Sequence, residues 1–122
     1  METEEKEVSP VYAMLNLSRD QFRQRISSVL LGNYGASFQI NGSYGPYRYR
    51  LTVAKVESAA SSFDFLIDVY KGSQLIHHHS FNKYFRASIT PYFKDMMLDE
   101  LSKDIFNELE DLITDLNKLF AS

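Results

Sequence analysis

TPYFKDMMLDELSKDIFNELEDLITDLNKLF, residues 90–120, is the longest periodic stretch of the chain, and its reading decides the fold. At 100° per residue Leu98, Leu101, Ile105, Leu109, Leu112, Leu116 and Leu119 fall on one stripe, and Phe106, Ile113 and Phe120 widen one edge of it. Thr90 suits the N-cap, and Pro91 the first helical position, where a missing N–H costs nothing. A continuous helix from Pro91 to Phe120 would be about 45 Å long. Four paired strands are under about 20 Å wide and about 30 Å long, so such a helix must overhang the sheet or bend. Phe93, Met96 and Met97 lie off the stripe that begins at Leu98, which predicts a change of buried side, by a bend or a split, between Met97 and Asp104. From Phe106 onward the stripe offers more apolar surface than a small sheet needs. A second chain is therefore expected to cover Phe106, Leu109, Ile113, Leu116 and Phe120.

The preceding chain supplies the platform. Residues 1–10 lack apolar periodicity and end in Ser9-Pro10, which reads as a disordered acidic tail before a single α+β domain over residues 11–122. Ser18 and Gln21 form a capping box for a helix whose Phe22, Ile26, Val29 and Leu30 share a face, and Gly32-Asn33-Tyr34-Gly35 closes it. The period then switches to two. Phe38 and Ile40 begin a first strand, and Tyr47, Tyr49, Leu51 and Val53 mark a second beyond a turn at residues 42–46. A small polar loop over residues 58–62 leads to Phe63, Phe65, Ile67 and Val69, and Gly72-Ser73 is a tight hairpin into a fourth strand, residues 74–81. The expected fold is a helix, a four-stranded antiparallel meander and a long C-terminal amphipathic helix, with both helices on one sheet face.

Composition narrows the function classes. With 122 residues the chain is long enough to bury a core without staples, and it contains no cysteine. The acidic opening lacks the apolar stretch of a leader, and no run approaches the length of a membrane span, so a soluble protein of the cytoplasm, or of the nucleus, is expected. The net charge of −3 is unevenly placed: residues 11–93 hold nine basic and four acidic groups, and residues 94–122 hold three lysines and eight acids. A basic body and an acidic last helix neutralise one another within one molecule, or guide a charged partner.

Three clusters invite a chemical reading. His77-His78-His79 places two imidazoles on one strand face, and a simple hairpin register sets Asp68 opposite His77 and turns His78 to the apolar side. Two imidazoles lacking a well-placed third ligand are read as part of a cross-strand polar ladder from Arg50 through Asp68, and no metal site is assigned. Tyr44, Tyr47, Arg48, Tyr49, Arg50 and Lys55 have the composition of a strand that stacks bases and holds phosphates. Alternation separates Tyr47 and Tyr49 from the arginines, so an aromatic core under a charged face is the expected state. No catalytic residue or cofactor site is identified: the chain has no nucleophile elbow, phosphate loop or metalloprotease pair, and the carboxylates of the last helix lie on its solvated side.

The sequence therefore points to a non-enzymatic protein–protein interaction module, adaptor or chaperone-like, dimeric through the C-terminal helix and meeting a further, unidentified protein. The alternative is single-stranded nucleic-acid binding through the hairpin of residues 44–55, with Tyr44, Arg48, Arg50 and Lys55 as contacts. In element order the chain is similar in outline to small adaptor domains of the RWD type and, more loosely, to the dimeric chaperones of secretion systems. That likeness carries over no residue role.

Overall fold

The computed structural model describes residues 10–33, 35–56, 62–85 and 93–121, with residues 120 and 121 described by their backbone alone. The expected N-cap Thr90, the Pro91 start and the loop at residues 58–61 lie outside the described residues. Among the described residues seven elements follow in order: α1 (Pro10–Leu15), α2 (Arg19–Leu30), β1 (Ser37–Tyr44), β2 (Tyr47–Lys55), β3 (Ser62–Lys71), β4 (Gln74–Tyr84) and α3 (Lys94–Ala121). The strands pair in sequence order as an antiparallel meander, and the three described helices lie on its apolar face. This is the α+β arrangement that the two periodicities predict.

Local chemistry accounts for the elements. Ser18 Oγ accepts from Gln21 N–H and Gln21 Oε1 accepts from Ser18 N–H, the reciprocal pair that starts α2. At the other end of α2, Lys55 Nζ donates to the carbonyls of Leu30 and Gly32, both at 3.0 Å. A buried ammonium thus caps the helix C-terminus, where carbonyls lack intrahelical donors and the helix dipole favours a cation. Burial holds that ammonium below the usual lysine range.

Alternation along β2 and β3 is nearly perfect. Tyr47, Tyr49, Leu51 and Val53 interleave with Phe63, Phe65, Ile67 and Val69, all inside the core. Arg50 stands opposite Asp68 on the outer face, as expected. Against β4 the register departs from a simple hairpin. Val69 faces His77 while Tyr70 faces Leu75, which leaves Ile76 as an unpaired extra residue on β4. That bulge shifts the ladder by one, so Asp68 lies opposite His78 rather than His77. The expected faces of the histidines are therefore exchanged: His78 is on the outer face, and His77 and His79 are on the helix side.

α3 is one unbroken helix of 28 residues, about 42 Å long. The predicted split is absent, and the buried stripe begins one residue earlier than expected. Met97 is fully buried and continues into Leu101, Ile105, Leu109, Leu112 and Leu116, whereas Leu98 is half-buried and Leu119 is exposed. The length is accommodated on the diagonal of the sheet. Near its start Glu100 and Asp104 meet Lys83 of β4, and near its end Asn117 accepts a 2.8 Å hydrogen bond from Tyr44 Oη of β1.

A diagonal helix leaves a corner over β1 and β2, and α1 and α2 fill it. α1 starts at Pro10, a residue that the sequence pattern groups with the tail, and it buries Val11, Met14 and Leu15. Its Tyr12 ring packs between Phe22 of α2 and Phe106 of α3, with centroids 5.9 Å and 5.3 Å away. Asp99 of α3 pairs with Arg23 of α2 at 2.7 Å. Tyr49 Oη donates to Met14 O at 2.5 Å, fastening α1 to the sheet. Gly42 is opposite Tyr49, and a β-carbon there would sit 2.5 Å from the phenol oxygen, so only glycine admits this bond.

Burial drives the Tyr49 phenol up to about 12. A phenol whose folded value exceeds the unfolded value of about 10 contributes stability that is whole below pH 10 and disappears as pH rises to about 12, worth about 2–3 kcal/mol. Urea unfolding across that range is expected to show this loss. Tyr49→Phe should flatten it and, by orphaning the Met14 carbonyl, lower stability at neutral pH by about 1–3 kcal/mol. Ser102 Oγ, buried in α3 with no hydrogen-bond partner among the described residues, gives the opposite expectation: Ser102→Ala should raise the unfolding midpoint.

Candidate functional site

The expected interaction residues divide on inspection. Leu109, Ile113 and Leu116 belong to the chain's own core, at 0, 6 and 1 % exposure, and Phe106 is half-covered by Tyr12. The side chain of Phe120 lies outside the described residues. The surplus apolar area inferred from sequence is thus used internally, largely because α1, which the periodicity does not reveal, helps cover that side of α3.

The tyrosine and arginine hairpin is also divided. Tyr47 and Tyr49 point inward, and Lys55 Nζ caps α2. Tyr44 is half-buried and bonded to Asn117. Arg48 and Arg50 lie on the outer face, where Arg48 Nη2 donates to Gly72 O at 2.7 Å and its guanidinium lies 5.5 Å from the Tyr70 ring centre. Arg50 Nε contacts Asn41 Oδ1 at 3.4 Å. The sheet therefore brings together two of the four residues named for nucleic-acid contact, without the Tyr47 and Tyr49 rings, which are in the core.

The exchanged histidine faces also dissolve the His77, His79 and Asp68 grouping. Asp68 Oδ1 is 2.5 Å from His78 Nδ1 on the outer face, while His79 Nε2 is 2.6 Å from Glu108 Oε1 of α3 on the inner face. Among the described residues no set of three or more His, Asp or Glu side chains is arranged to hold a metal ion.

What the bulge builds instead is a seam between β4 and α3. At one end Lys83 Nζ reaches Glu100 Oε2 at 2.5 Å and Asp104 Oδ2 at 2.9 Å. Those contacts hold its ammonium above the usual lysine range. The next polar rung is His79 with Glu108. Toward the hairpin α3 draws away along its diagonal, and the seam opens into a cavity of about 220 Å³ floored by Phe65, Ile67 and Leu112. His77 and His79 form one wall, and Glu108, Asp111 and Asp115 form the other. β4 is an edge strand, and among the described residues no strand pairs with its outer side. Such an edge offers a row of free backbone donors and acceptors. Sequence reasoning missed this site because the bulge at Ile76 and the diagonal of α3 both had to be known first.

No protein-family model, curated protein or solved structure matches the chain. Among the described residues no helix is long and apolar enough to cross a membrane.

The Lys83 rungs are partly exposed, so their contribution is modest and depends on salt. Lys83→Met is expected to lower stability by about 1 kcal/mol in dilute buffer. The difference from the parent protein should shrink in molar salt, as measured by paired urea titrations.

Proposed function

We propose that this protein is a non-enzymatic protein-interaction module, and that it receives its partner at the β4–α3 seam. One observation carries this reading: a cavity with an apolar floor and a charged rim lies beside an unpaired strand edge. Peptide recognition commonly combines those two parts, backbone pairing along an edge for affinity and side-chain pockets for selectivity. The cavity is smaller than the usual pocket for a drug-sized ligand, which suits individual side chains of a polypeptide better than a free metabolite. An adaptor or chaperone-like role in the cytoplasm fits this mode of binding. The seam replaces the apolar helix face as the proposed contact, since Leu109, Ile113 and Leu116 are inside the fold.

The test is selection of an unbiased displayed peptide library against the full chain, followed by amide chemical-shift mapping of the enriched peptides. Shifts concentrated on residues 77–84 of β4 and 108–115 of α3 are expected. A library that yields no binder, or binders that map away from the seam, removes the proposal.

A further inference from the structure

The flank of α3 that faces β4 carries carboxylates in series, and β4 answers them with nitrogen bases from its inner face. Lys83 meets Glu100 and Asp104, and His79 meets Glu108. At the hairpin end the series is incomplete. Asp111 and Asp115 line the cavity one helical turn apart, where like charges repel, and among the described residues no cation is paired with either. His77 lines the opposite wall without a hydrogen bond or ion pair to them among the described residues. The fold thus shows at Lys83 what this flank accepts, an ammonium carried on a strand, and leaves the last position open.

We propose that the groove takes the basic side chains of an extended partner segment that adds to the outer edge of β4 as a fifth strand. This inference rests on the interaction reading above and specifies the partner's chemistry. A segment paired with β4 sends every second side chain to the helix side of the sheet, so the lysines or arginines stand at alternate positions. Phe65, Ile67 and Leu112 lie where an aliphatic stem would rest, and Asp111 and Asp115 lie where its charged head would end. The regular pairing of β4 resumes at His77, beyond the bulge, so residues 77–84 form the usable edge. An acidic segment would meet Glu108, Asp111 and Asp115 at close range and be turned away.

The test titrates the full chain with a labelled synthetic peptide of alternating lysine and threonine, followed by fluorescence anisotropy, beside the same peptide carrying glutamate for lysine. The lysine peptide is expected to bind and the glutamate peptide not. Asp111→Asn with Asp115→Asn should weaken binding by about tenfold, the loss of one charge-assisted contact, with an unchanged circular dichroism spectrum. Asp111→Lys with Asp115→Lys should reverse the preference between the two peptides. Equal binding of the two peptides to the parent protein overturns the inference. Library peptides that occupy the seam without alternating basic residues also overturn it while leaving the interaction reading intact, whereas a library with no seam binder removes both.

Discussion

Tyr49, Leu51 and Val53 on β2, with Phe63, Phe65, Ile67 and Val69 on β3, make one continuous dry surface, and hiding it governs the placement of α1, α2 and α3. A single amphipathic helix is too narrow to cover four strands. α3 takes the longest line available, the diagonal from Lys83 to Tyr44. Two triangular corners remain. One is closed by α1 and α2, fastened through the Tyr49 phenol and the Lys55 ammonium. The other, beside the hairpin end of β4, receives none of the described helices. The cavity therefore follows from the same geometry that completes the core.

The elements were legible in the sequence to different degrees, for physical reasons. Period-two alternation in residues 38–53 and 63–69 states both the strands and their buried sides, because a sheet with one wet face leaves no other arrangement. The Ser18–Gln21 pair likewise announces α2 by local bonds alone. α1 was hidden because six residues are too few to display a helical period, and its helix is held by contacts from Phe22, Phe106 and Tyr49 that lie far away in the chain. The supposed break in α3 came from assigning Met97 to the wrong side of a stripe. A methionine fills irregular space readily, and its burial is set by the sheet beneath it.

The groove was the least legible feature. Its residues come from β3, β4 and α3, and none of their local spacings is distinctive. His77, His78 and His79 draw the eye as a triplet, yet the fold sends the outer pair to one side and the middle one to the other. The aromatic and basic composition of residues 44–55 was equally legible as a list and misleading as a surface. Burial of Tyr47 and Tyr49 and the capping role of Lys55 are properties of the assembled layers.

The extra residue at Ile76 has a consequence for how such a chain tolerates change. Sliding the segment beyond it by an odd number of positions would turn Lys83 and two of the imidazoles out toward solvent, and bring Ser80 and Asn82 against the helix. A one-residue change of length in the turn that joins β3 to β4 must therefore be absorbed in the turn itself or at the bulge, and not passed along the strand. An alignment that carries a one-residue offset past the bulge would pair residues from opposite sides of the sheet.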